Sequence, residues 1–246
     1  MSALFDAGQG LSAVRPITLA LEGGGSMGAF TWGVLDRLLE VPGLRIDVVS
    51  GTSAGAMNAA MLVQGLATGG PPAAKRLLET FWHRVAIASG SLPGPVGTWM
   101  HRFGGALAPM VDVLRHTGAA LQPGVGRTRH NPLRGILAEL LDPKVFGQPS
   151  APELVVAATR VRTGEARLFR DAEVTVDALL ASACLPQLFP TIEIDGEAYW
   201  DGGYTSNPPL RPLIERACKI VGGWRGRDRV RVHGARAVEC QSWCGG

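Results

Sequence analysis

This sequence predicts an α/β fold, a three-layer arrangement with a central, mostly parallel sheet sandwiched by helices. Three observations carry that prediction. Apolar runs of strand length, Pro16–Leu21 and Ile46–Ser50, alternate with segments of helical period. Each run breaks in a glycine turn, at Gly23-Gly24-Gly25 and at Gly51-Thr52-Ser53-Ala54-Gly55. The length, 246 residues at 46% hydrophobic and 18% charged, suits one such domain with a substantial core and argues against disorder.

Residues 1–14 read as a loose leader. PITLAL at 16–21 has the unbroken apolar character of a buried parallel strand. Beyond the glycines, Met27, Phe30, Val34 and Leu38 recur at helical spacing, with Asp36, Arg37 and Glu40 on the other side. Pro42-Gly43 ends that helix, Ile46–Ser50 is the next strand, and small residues after Ser53 begin another helix. The Gly/Pro-rich stretch 68–74 is expected to be a loop, with a helix following from Ala74 to about Val85.

The texture then changes. Residues 86–130 hold only Arg102, Asp112, Arg115, Arg127 and Arg129 as charges, with Trp99, Met100, Phe103, Leu107 and Met110 interspersed. This segment reads either as an irregular insertion packed on the body or as a cover or apolar surface that meets lipid. Asn131–Leu141 follows as an amphipathic helix with proline at its start. Glu153–Thr159 and Ala166–Phe169 read as strands about a turn at Gly164, and Asp177–Ala183 as a short helix stopped before Pro186. Thr191–Ile194 and Glu197–Trp200 flank Asp195-Gly196, a hairpin signature. The domain is expected to span 15–223. The Arg/Gly-rich tail 224–246 lacks a clear apolar period, and its composition fits an out-of-frame C-terminus that would leave the fold truncated.

Charge and cysteine usage narrow the function classes. The net charge is +3, and the last 26 residues hold five arginines against Asp228 and Glu239, so the remainder is neutral and no nucleic-acid partner is indicated. Cys184, Cys218, Cys240 and Cys244 form neither a CxxC pair nor a disulfide framework, and Cys240/Cys244 alone are too few ligands for zinc. The sequence shows no signal-peptide pattern and no apolar run long enough to cross a bilayer, so a soluble, cytoplasmic protein is expected.

The chemistry centres on Ser53. GTSAG at 51–55 puts a serine at the apex of a strand–turn–helix, with glycines removing the Cβ atoms that would clash there. A serine hydroxyl needs a base. His83, His101, His116 and His130 precede the plausible acids, and His233 sits in the tail, so a histidine triad is not the expected arrangement. Asp201, at the end of a hairpin arm and followed by Gly202-Gly203, is the better candidate. Gly23–Gly28, GGGSMG, supplies free backbone N–H groups. These suit either the oxyanion of an acyl transfer or the pyrophosphate of a dinucleotide, for which Asp47 has roughly the right spacing but lies at the start of its strand.

Taken together, GGGSMG (23–28), GTSAG (51–55) and DGG (201–203) resemble the patatin-like phospholipase family, in the family's order. Supporting similarity runs through NPLR (131–134), AATRVRTGE (157–165), ALLASACLPQLFP (178–190) and NPPL (207–210), covering roughly 15–217. The resemblance implies Ser53 as nucleophile, Asp201 as proton acceptor, and an oxyanion hole of backbone N–H groups around Gly24, Gly25 and Ser26. Gly23, Gly28, Gly51, Gly55, Gly202 and Gly203 are then the motif glycines. It also implies a fatty-acyl ester of a lipid as substrate, transient contact with a membrane surface, and no metal or other cofactor. The chain departs from the family at Met27, where many members carry Arg or Lys, and in its tail. A catalytically silent lipid-binding or regulatory protein and a nucleotide-binding oxidoreductase are the alternative classes.

Overall fold

The computed structural model describes residues 14–90 and 131–214. Trp99, Phe103 and most of the 86–130 segment, the leader before Val14, and the tail with Cys218, Cys240, Cys244 and His233 lie outside the described residues. Met1–Pro209 form one compact unit and Leu210–Gly246 a second, in which 211–214 are helical.

Strands β1 (Arg15–Leu21), β2 (Leu44–Thr52) and β3 (Glu153–Arg160) lie side by side and parallel. Three further strands, β4 (Ala166–Arg170), β5 (Ile192–Ile194) and β6 (Glu197–Asp201), extend this parallel core into a mixed sheet. Both β4 and β6 run antiparallel to β3, and β5 pairs with β6 across the Asp195-Gly196 turn. Asp195 (φ 53°) and Gly196 (φ 77°) both adopt the left-handed backbone such a two-residue turn requires. The expected α/β sheet flanked by helices is thus present. Its central strand explains itself: Leu154 to Thr159 are all buried, as the apolar run ELVVAAT demands.

The pairing around β3 positions everything that follows. Residues 155–157 pair with β2 and β4 at once, so these lie on opposite edges of β3. Residues 158 and 159 pair with β4 and β6, which puts β6 on the edge that β2 occupies. Thr52, the last residue of β2, is opposite Ala157; Asp201, the last of β6, is opposite Ala158. Two strands running toward each other therefore abut end to end beside β3.

Among the described residues, four helices flank the sheet: α1 (Gly28–Leu38), α2 (Ala54–Gly90), α3 (Pro132–Leu140) and α4 (Val176–Ser182). The first arm of α2 carries no charge before Lys75 and is buried throughout from Ala54 to Gly65. The expected 68–74 loop shrinks to a break at Gly69 and Gly70, where the backbone is not helical, and Pro71-Pro72 start the second arm. That arm folds back on the first: a Cβ on Gly65 would stand 2.2 Å from the Cα of Ala74, and Trp82 Nε1 donates to Asn58 Oδ1 at 2.8 Å. Asn58 Nδ2 in turn donates to the Gly28 carbonyl at 2.9 Å, so the buried amide is satisfied on both sides. Asn131 caps α3 and Thr175 caps α4 through side-chain oxygens.

The apolar stripe of α1 faces outward. Met27, Phe30 and Val34 are exposed, while Gly28 and Leu35 are buried. Close approach sets this rotation. A Cβ on Gly28 would fall 2.6 Å from the Trp82 ring and 2.8 Å from Ala54 Cβ, so the helix seats its smallest residue against α2 and turns its larger stripe away.

Candidate active site

The abutment of β2 and β6 brings Ser53 and Asp201 together. Ser53 follows Thr52 with φ 53°, a left-handed conformation that a non-glycine residue holds only when its surroundings compel it. Those surroundings are specific. Ser53 N–H donates to Ser182 Oγ at 2.9 Å, and the Ser182 hydroxyl donates to the Ala157 carbonyl at 2.6 Å. The Met57 N–H bonds the Ser53 carbonyl at 3.1 Å, starting α2. Gly55 must be glycine, since a Cβ there would stand 2.1 Å from the Leu21 carbonyl oxygen; one at Gly51 would stand 2.5 Å from that of Gly55.

Asp201 is held from the same neighbourhood. Its N–H donates to the Cys184 carbonyl at 2.8 Å, and Thr159 Oγ1 donates to its carbonyl at 2.9 Å. The short segment from Ser182 to Cys184 therefore grips the backbone of both residues. Gly202 lies over β3 so closely that a Cβ would be 2.2 Å from the Ala157 carbonyl oxygen. The Asp201 carboxylate is buried and accepts the Gly203 N–H at 2.7 Å, and the neighbouring Ser53 hydroxyl favours its ionised form.

Residues 23–28 leave β1 at the same end of the sheet, with Leu21 opposite Gly51. A Cβ built on Gly23 would stand 2.8 Å from that of Ser53, so loop and serine touch. Gly25 (φ 58°) opens a single turn of 3-10 helix closed by Met27 N–H on the Gly24 carbonyl at 3.1 Å. The Gly28 N–H goes to the carbonyls of Gly25 and Ser26. The N–H groups of Gly24, Gly25 and Ser26 have no acceptor among the described residues. Asn207 takes the Gly23 N–H on Oδ1 at 2.6 Å and returns Nδ2 to the Gly23 carbonyl at 3.3 Å. Thr52 Oγ1 donates to the Ser206 carbonyl at 2.6 Å.

The family model for patatin-like phospholipases matches residues 19–214, which takes in every one of these groups. The chain belongs to the patatin-like phospholipase family. That membership supports lipid hydrolysis in general. Among solved structures, the crystal structure of VipD from Legionella pneumophila is similar at 15% identity and a TM-score of 0.38. The match covers 81% of this chain and 48% of VipD, so the chain spans about half the length of that protein. No curated protein matches it.

In this patatin-like domain the electrostatics single out Asp201. Burial pushes its pKa from 3.8 up to about 6, against the Gly203 N–H and the Ser53 hydroxyl, which favour the ionised form. His83, the one histidine among the described residues, is exposed on α2 and rests edge-on against Trp32 at 6.2 Å. Asp47 pairs with Arg45 at 2.7 Å near the start of β2, an engaged carboxylate away from the strand's end where a ribose would be read. No cluster of three or more metal-binding side chains occurs among the described residues, and no helix there is long and apolar enough to cross a membrane.

Reasoning from sequence missed Ser182, Asn207 and Thr52. Ser182 lies in ALLASACLPQLFP and Asn207 opens NPPL, so both segments were marked by resemblance, but neither residue type announces a role by itself. Their partners are 129 and 184 positions away.

Proposed function

We propose that this chain is a serine acyl hydrolase of phospholipase A type, cleaving fatty-acyl esters of lipids through a Ser/Asp dyad and an acyl-enzyme. One observation carries the reading: β2 and β6 abut beside β3, which sets Ser53 next to the buried carboxylate of Asp201, where its hydroxyl favours the ionised form. No histidine is needed between them. An ordinary aspartate is too weak a base to help much, but burial that raises Asp201 to about 6 brings it closer to the optimum while leaving it ionised at neutral pH.

Ser53 Oγ attacks the ester carbonyl as Asp201 takes its proton. The oxygen, now negative, turns toward the N–H groups of Gly24, Gly25 and Ser26, which have no acceptor among the described residues and are fixed donors that need no reorganisation as charge develops. Collapse expels the alkoxide, which leaves with the proton from Asp201. Water, deprotonated by the same carboxylate, then attacks the acyl-serine, and collapse of that second tetrahedral species returns Ser53 and frees the fatty acid. The Ser53 N–H is engaged with Ser182, and the oxyanion donors in this reading come from the glycine loop.

A fluorophosphonate that modifies activated serines tests this. The wild-type chain should be labelled at Ser53 and should hydrolyse a p-nitrophenyl fatty-acyl ester. Ser53→Ala should lose both, with turnover down by at least roughly 10⁴-fold. Labelling that survives Ser53→Ala, or lipid association with no turnover by the wild type, would end the reading.

A further inference from the structure

From the contacts of Asn207 we infer that it is a positioning residue for acyl transfer: its side-chain amide clamps Gly23 and thereby aims the oxyanion donors that follow. The inference rests on the hydrolase reading above. A primary amide presents one donor and one acceptor side by side, and Asn207 spends both on one residue: Oδ1 on the Gly23 N–H at 2.6 Å, Nδ2 on the Gly23 carbonyl at 3.3 Å. The Gly23 carbonyl belongs to the same peptide plane as the Gly24 N–H. Fixing that oxygen fixes the direction of the first free donor, and Gly25 and Ser26 continue from it.

The clamp reaches further than one loop. Immediately before Asn207, the Ser206 carbonyl accepts the Thr52 hydroxyl at 2.6 Å. Residues 206–207 therefore grip the end of β2, which delivers Ser53, and the start of the glycine loop, which delivers the donors. Five residues earlier the same segment carries Asp201. Nucleophile, base and oxyanion donors stand on three separate stretches of chain, and this strap spans all three. The donors must meet the oxygen at hydrogen-bond length, and a misplacement near 1 Å costs on the order of 100-fold in rate. Substrate binding in the ground state does not draw on them to the same degree, so Asn207 should govern kcat rather than KM.

Asn207→Ala and Asn207→Asp test this with a short-chain p-nitrophenyl ester, counting competent sites by fluorophosphonate titration so that misfolded molecules drop out. Asn207→Ala loses both bonds; Asn207→Asp keeps the shape and the acceptor, loses the donor, and adds an anion beside the developing negative charge. Both should lower kcat per labelled site by roughly 10–100-fold with KM within about threefold, and should weaken a trifluoromethyl ketone, which mimics the tetrahedral species, by the same factor. If Asn207→Ala does not fold, Asn207→Asp alone decides. A merely structural Asn207 would reduce the labelled fraction or the melting temperature but leave kcat per site and ketone affinity unchanged, and that result overturns the inference while the hydrolase reading stands. A wild-type chain that neither labels nor turns over overturns both.

Discussion

The loop after β1 and the turn after β2 leave the sheet side by side, with Leu21 opposite Gly51, and both are built on glycine. In the turn, the glycines serve packing. Gly51 and Gly55 lie against backbone carbonyls, the Ser53 N–H is taken by Ser182, and the segment is largely buried. In the loop, Gly25 serves conformation, Gly24 to Met27 are half-buried or exposed, and three consecutive N–H groups find no acceptor among the described residues. The turn that must hold the Ser53 side chain rigidly commits that residue's own N–H to Ser182. A loop that must receive a negative oxygen keeps its own donors. Composition cannot distinguish the two; the hydrogen bonds do.

Substitutions can break that contrast, beginning with the largest effect. Gly55→Ala should destabilise the chain by more than about 4 kcal/mol or prevent folding, because its Cβ would meet the Leu21 carbonyl oxygen at 2.1 Å and neither the helix nor the strand can yield. Urea melts read the loss, and a variant of near-native stability would show that the turn is not the tightly packed element described.

The buried carboxylate beside the turn comes next. The rise of Asp201 from 3.8 to about 6 means that the folded state holds its proton more tightly than the unfolded chain. Stability is therefore undiminished below about pH 4, falls as pH rises through about 6, and is lower by on the order of 3 kcal/mol above it. Asp201→Asn removes that cost. It should melt higher than wild type at pH 8, with the gap closing toward pH 4, and should abolish turnover. In the wild type, kcat/KM should fall below about pH 6 as the base becomes protonated. A pH profile without that inflection would separate Asp201 from proton transfer.

The smallest structural effect belongs to the open loop. Gly25→Ala puts a Cβ on a residue with φ 58° and should cost about 1–2 kcal/mol of stability, while the tilted donors lower kcat by roughly 10–100-fold. Equal losses of stability in Gly25→Ala and Gly55→Ala would erase the distinction between the two glycine segments.

The elements were legible where their signals were local. The apolar runs 16–21 and 153–159, the Asp195-Gly196 hairpin and the Asn131-Pro132 helix start all rest on a few adjacent residues, and each appears where that chemistry puts it. The outward stripe of α1 was not legible, because helical period gives the spacing of apolar residues but not which side meets the body. That choice fell to Gly28, which fits under Trp82 where no side chain could.

By itself, then, the sequence determined the strand–glycine–helix rhythm and the residues able to do chemistry, Ser53, Asp201 and the 23–28 loop, since motif and propensity act over a few positions. Tertiary structure alone decided that β2 and β6 meet end to end on one edge of β3, which sets a serine and an aspartate 148 positions apart side by side. It alone decided that Ser182 closes the turn and Asn207 holds the loop. Sheet pairing and buried hydrogen bonds join residues by distance in space, and no local pattern records which distant partner a serine or an asparagine will find.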